Sequence, residues 1–127
     1  MLQKTFSMRE QKAYHKLIVW QKAHEFAKDI YQLTARFPRE EQYGLTSQLR
    51  RAAVSVAANI VEGQAKSKGP EFVRFLTISK GSLAESEYYL ELALELAIIT
   101  KDEFNRLEQL RQETAFLLHQ LIESLRR

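Results

Sequence analysis

The chain has 127 residues and no cysteine; that length suits one domain with a real core, and disulfides, thiol catalysis and thiolate metal sites are excluded. The net charge of +3 is unevenly spread, with 14 Lys and Arg against 7 Asp and Glu in residues 1–80, and 5 against 9 in residues 81–127. Such asymmetry suits an anionic partner on one face, or head-to-side association between copies.

Only four Gly and two Pro interrupt a chain rich in Ala, Leu, Glu, Lys, Arg and Gln, a composition that favours helix throughout. No run of about 18 apolar residues occurs, so no membrane span is expected. The lack of disulfides fits a cytoplasmic protein. Residues 1–13 carry charges without the apolar stretch of a secretory signal and read as a flexible lead-in. Residues 14–127 form the expected domain.

From about Tyr14 to Phe37 the spacing predicts a first helix, with Leu17, Trp20, His24, Ala27, Tyr31 and Thr34 on its apolar face. Pro38 ends it by pushing the preceding residue out of the α region. After a short charged connector, Gly44 to Gly63 predicts a second helix. Its apolar stripe is Leu45, Leu49, Ala52, Val56 and Ile60. Beside that stripe runs a polar line of Ser47, Arg51, Ser55, Asn59 and Glu62. Ser and Asn are poor helix formers, whereas a solvated face normally carries Lys and Glu. The line reads either as small polar residues that admit a close neighbour, or as a seam meeting another helix, another subunit or a ligand. Gly63 is expected to end the helix in the left-handed conformation.

Gln64–Gly69 reads as a basic, flexible link. Pro70 suits a first helical position, followed by Glu71 in the first turn. Phe72, Phe75, Leu76, Ser79, Leu83, Leu90, Ala93, Leu94 and Ala97 trace the third helix to about Ile99. Thr100-Lys-Asp-Glu103 is a capping-box pattern that starts the fourth. Phe104, Leu107, Leu110, Leu117, Leu118, Leu121 and Leu125 carry that helix nearly to the C-terminus.

Gly81 within the third helix costs about 1 kcal/mol relative to alanine. Folding helices two and three back around residue 66 predicts a close crossing of Ala52, Ala53 and Ala57 against Gly81, Ser82 and Ala84. Glu62 near a helix C-terminus disfavours its own charge, so a cationic partner is expected: Lys66, Arg74 or Arg51 of the partner subunit. Strand signals are absent. The expected fold is all-α, an antiparallel up-down-up-down four-helix bundle about 30–43 Å long.

Several stretches, in order, match a known family. They are Leu17-Ile-Val-Trp20-Gln-Lys-Ala23, Tyr31-Gln-Leu-Thr34, Phe37-Pro38, Glu41-Gln-Tyr-Gly44-Leu-Thr-Ser-Gln48, Arg51-Ala-Ala-Val-Ser55, Asn59-Ile-Val-Glu62-Gly63, Glu71-Phe72, Arg74-Phe75-Leu76 and Gly81-Ser82-Leu83 with Glu85. The chain resembles, over roughly Tyr14 to Leu125, the bacterial four-helix-bundle proteins encoded by intervening sequences of 23S ribosomal RNA genes, also labelled S23 ribosomal proteins. The resemblance implies a four-helix subunit in a closed homo-oligomer, a pentamer. Similar bundles include the accessory variability determinant proteins of diversity-generating retroelements, barrel-shaped pentamers that bind nucleic acid and a reverse transcriptase.

No catalytic constellation stands out. His15, His24 and His119 have no recognisable triad context, no Glu has a His three residues later, and no Gly-rich phosphate loop is present. The expectation is a protein that is not an enzyme and needs no metal or cofactor. Two readings remain open. In one, Lys16, Lys22, Arg39, Arg50, Arg51, Lys66, Lys68, Arg74 and Lys80 contact RNA or DNA phosphates, mostly without sequence preference and with strong salt dependence. In the other, the oligomer is an adaptor for a protein partner such as a reverse transcriptase. In both, Ser47, Arg51, Ser55, Asn59, Glu62, Gly81 and Ser82 are the candidate assembly residues.

Overall fold

The computed structural model describes residues 12–66 and 69–127. Most of the expected lead-in, and Lys68, lie outside the described residues. Four α-helices follow a short 3₁₀ turn at Ala13–Lys16: α1 (Ile18–Thr34), α2 (Leu45–Lys66), α3 (Pro70–Glu95) and α4 (Lys101–Arg126). Each packs against the next and α1 packs against α4, while among the described residues the backbones of the diagonal pairs stay apart. The result is an antiparallel up-down-up-down bundle with no strand among the described residues.

The core fills the space between all four helices. Phe26 and Ile30 of α1, Leu49, Val56 and Ile60 of α2, Leu76, Leu83 and Leu90 of α3, and Leu107 and Leu118 of α4 are essentially inaccessible. Each large side chain of this kind contributes about 1.5–3 kcal/mol on burial. The predicted stripe of α2 is buried throughout, from Leu45 to Ile60.

In α1 the buried stripe is shifted from the expected one. Val19, Ala23, Phe26, Ile30 and Leu33 point to the core, with Trp20, Ala27 and Thr34 at its edge. Tyr31 is exposed and His24 half-buried. The helix is apolar around more than half its circumference, so spacing alone admits two phases. Packing against both α2 and α4 selects between them.

The glycines also trade roles. α2 continues through Gly63 to Lys66, and Gly63 is buried in it rather than left-handed. The turning glycine is Gly69, at φ 63°, just before Pro70 opens α3. α3 then stops at Glu95, earlier than the spacing suggests. Ala97 adopts φ 60°, its N–H donates to the Leu94 carbonyl at 3.0 Å, and the Ile98 N–H donates to the Ala93 carbonyl at 2.9 Å. This pair of bonds is the Schellman ending, and it turns Ile99 back into the core. Thr100 then caps α4 as expected: its Oγ1 accepts from the Glu103 N–H at 3.1 Å, and Glu103 Oε1 accepts from the Thr100 N–H at 2.9 Å.

α2 and α3 do cross closely, but of the three α3 residues expected there only Ser82 takes part. Gly81 and Ala84 are exposed, and a Cβ built on Gly81 meets nothing within 4 Å among the described residues. Buried Ser79, Ser82 and Ser86 take the inner face of α3 instead. At helical period, position 81 points away from the face that positions 79, 82 and 86 share.

Candidate functional site

The small polar residues of α2 meet α3 of the same subunit. Ser79 Oγ donates to the Val56 carbonyl at 2.8 Å, and Ser82 Oγ donates to Ser55 Oγ at 2.8 Å. Asn59 Nδ2 donates back to the Ser55 carbonyl at 2.8 Å and to Ser55 Oγ at 3.0 Å. The centre of the seam is therefore closed within one chain, by hydroxyls short enough to let the helices approach. Its ends face outward. Ser47 is exposed, and Arg51 reaches Gln48 Oε1 at 2.8 Å and Glu85 at 3.5 Å. Glu62 pairs with Lys66 at 3.1 Å, one of its expected partners.

The side of α1 that spacing assigned to the core forms one wall of a groove. Ala27 and Tyr31 of α1 face Val54, Ala57, Ala58 and Val61 of α2 across a volume of about 570 Å³. Tyr31 and Val54 stand 45% and 42% exposed on its walls. Trp20 and His24, stacked at 4.8 Å with rings 11° apart, line the same groove toward its Tyr14 end. Tyr14 and His15 approach Trp20 edge-on at 5.1 and 5.2 Å. Burial, then the charges of Lys28 and His15, push the His24 pKa down.

Arg50 spans the same helix pair. Its Nε donates to Thr34 Oγ1 at 2.8 Å while Thr34 donates to the Ile30 carbonyl at 2.7 Å. The guanidinium lies 4.4 Å above the Tyr31 ring. Arg50 thus clamps α2 to α1 and holds Tyr31 at the rim through a cation–π contact.

The remaining basic candidates are dispersed. Lys22 pairs with Glu113 at 3.7 Å on the α1–α4 side, whereas Arg51 sits on the α2–α3 side. Arg74 pairs with Glu71 at 3.7 Å and lies 4.7 Å over Phe75. Among the described residues, Lys16, Arg39 and Lys80 are exposed and make no ion pair. Lys22 and Arg51 thus lie on opposite sides of the bundle.

One charged cluster escaped the sequence reading. Arg111 is buried on α4, where it donates from Nε and Nη2 to the two Glu108 oxygens at 2.8 and 2.6 Å. It also reaches Glu87 of α3 at 3.2 Å. Burial pushes the Glu108 carboxyl up, but hydrogen bonds and charge from Arg111, with help from Gln112, leave it below its ordinary value. Bonding to Glu108 raises Arg111 in turn. The Glu-x-x-Arg spacing was visible; its burial was not. Among the described residues no group of His, Asp or Glu is placed to hold a metal ion, and no helix is long and apolar enough to cross a membrane.

Residues 15–120 match the 23S rRNA-intervening sequence protein family. The chain belongs to this family. The matched stretch runs from the first 3₁₀ turn into α4 and includes both walls of the groove and the α2–α3 seam. A crystal structure from Bacteroides thetaiotaomicron, of a protein with unknown function from the S23 ribosomal protein family, is similar. It shares 27% identity and a TM-score of 0.74, over 83% of this chain and 98% of that one. No curated protein matches the sequence.

Proposed function

We propose that this family member is a non-catalytic bundle that assembles with copies of itself, and that the assembly binds RNA or DNA through repeated cations. The α1–α2 groove carries the reading. It is an apolar valley floored by alanines and left uncovered over Tyr31, Val54 and Ala58 among the described residues. Apolar surface of this kind favours association, and the opposite charge of the two halves of the chain favours head-to-side contact. In such an assembly Lys16, Arg39 and Lys80 recur once per copy, which multiplies a weak phosphate-binding surface. The family description makes structured RNA the first ligand to test.

The test combines mass and binding. Size exclusion with light scattering is expected to give several subunits; a monomer of 14.8 kDa at micromolar concentration would refute assembly. Labelled structured RNA is then titrated at about 50 and about 200 mM salt, with wild type and a Lys16→Glu/Arg39→Glu/Lys80→Glu variant. Affinity should fall steeply with salt and by about tenfold or more in the variant. Equal, weak binding in all four conditions refutes the nucleic-acid reading. An adaptor for a protein partner such as a reverse transcriptase would then be tested by pull-down.

A further inference from the structure

We infer that the α1–α2 groove receives the outer face of α3 from a second copy of this chain. The inference rests on the assembly reading above and supplies its contact surface. Gly81 weakens the helix by its flexibility, yet a Cβ there would meet nothing within 4 Å among the described residues. Gly81, Ala84 and Tyr88 recur at helical spacing on the side of α3 opposite buried Ser79, Leu83 and Leu90. All three are exposed, Tyr88 by 59%. That face offers a close backbone approach followed by one large knob.

The groove has the complementary shape. Ala58 lies between Val54 and Val61, and these two valines are seven positions apart, as are Gly81 and Tyr88. Each span is about 10.5 Å at the rise of a helix. Laid in the groove as an amphipathic helix lies in its receptor, the face puts Gly81 and Ala84 over the small side chains. Tyr88 then stands against the wall carrying Tyr31.

Charge selects this occupant. Lys28 and Arg50 flank the groove, and Glu91 and Glu95 follow Tyr88 on the outer side of α3. Lys28, Arg50 and Glu95 make no ion pair among the described residues, and Glu91 reaches Arg111 only through its field. The exposed ring on α4, Phe116, lacks this complement: the carboxylates nearest in sequence, Glu113 and Glu123, already pair with Lys22 and Arg126. The groove and the α3 face share no residue, so each copy offers both. The contact is heterologous and closes into a ring where its rotation permits.

The cysteine-free chain allows a direct test by mixed disulfide trapping. Ala58→Cys and Ala84→Cys, both at exposed positions, are purified separately, mixed, oxidised and run without reductant, with light scattering in parallel. A linked species that forms in the mixture, and in neither variant alone, is the expected result. Several subunits without that link overturn this interface and leave the assembly reading standing. A monomer with no link overturns both. Linkage of Ala58→Cys with itself would place groove against groove, and also overturns the proposal. As a second measurement, Tyr88→Ala and Glu91→Lys/Glu95→Lys are expected to weaken self-association by about tenfold or more, with unchanged helical circular dichroism. Association at the wild-type level in both variants refutes the contact.

Discussion

Gly63 of α2 lies directly against Phe75 of α3: a Cβ at Gly63 would sit 2.8 Å from Phe75 Cβ and 2.9 Å from Phe72 Cδ1. The obstructing Phe75 atom is fixed to the backbone, so relief requires a shift of one helix. Gly63→Ala should therefore destabilise the fold by about 1–2 kcal/mol, because overpacking outweighs alanine's higher helix propensity. Gly81→Ala has open space and should stabilise by about 0.5–1 kcal/mol. Urea unfolding of the two variants checks the contrast. Changes of the same sign would mean that one glycine has been given the wrong surroundings.

Ala97 holds a left-handed conformation that glycine adopts without strain. The Schellman bonds of Ala97 and Ile98 persist whatever the side chain. Ala97→Gly is expected to raise stability by about 0.5–1 kcal/mol, while Ala97→Val lowers it. Thermal unfolding monitored by helical circular dichroism separates the two.

Arg111 keeps Glu108 ionised in a half-buried place. Arg111→Ala removes both guanidinium donors from that carboxylate, leaving it the single Gln112 amide bond at 3.1 Å and the neighbouring Glu87, and should cost about 2–3 kcal/mol. Arg111→Met/Glu108→Gln should recover much of the loss, since the unpaired charge goes with its partner. The acid limb follows from the same groups. The folded state binds the Glu108 proton less tightly than the unfolded chain does, as it does that of Glu103, whose carboxyl is lowered first by the Thr100 backbone hydrogen bond and then by Arg36. Their contribution is complete above the unfolded value. It is lost as pH falls below about 4.5 and through the lower folded values. Urea midpoints measured from pH 7 downward should fall in that window, and the fall should be smaller in the Arg111→Met/Glu108→Gln variant.

His24 gives a second pH dependence of the same sign for a different reason. Burial and the charges of Lys28 and His15 lower its pKa, so protonation opposes folding. Its neutral form is fully compatible with the fold above about pH 6.5, and stability declines as pH falls below that value. Trp20 is the sole tryptophan and stacks on His24. Its emission should drop with a midpoint below that of an ordinary histidine as the imidazolium forms. His24→Gln should remove most of that change, and His15→Gln should leave most of it. The reverse pattern would refute the assignment to His24.

The four-helix architecture was legible because each element carries its own sign. The α2 stripe from Leu45 to Ile60, Pro70 at the head of α3 and the Thr100–Glu103 capping box are local patterns, and all three stand in the structure. The α1 phase was ambiguous because apolar residues occupy both candidate stripes. The groove followed from that ambiguity: Trp20 and Ala27 sit at the edge of the core, and His24 and Tyr31 beside them line a valley between helices. Arg50 looked like a free phosphate contact, yet Thr34 and Tyr31 engage it. No one-dimensional pattern reports such a partner on another helix.

Periodicity and capping along the chain settled that this is an all-α bundle of four antiparallel rods, since those signals act over a few residues and need no distant contact. Only the tertiary structure decided which way each rod is rotated. That rotation placed Gly63 inside and Gly81 outside, turned the serine seam inward onto α3, and left an apolar groove between α1 and α2. A helix is nearly symmetric about its axis until a neighbour packs against it, so the face it buries belongs to the assembly of helices rather than to any one of them.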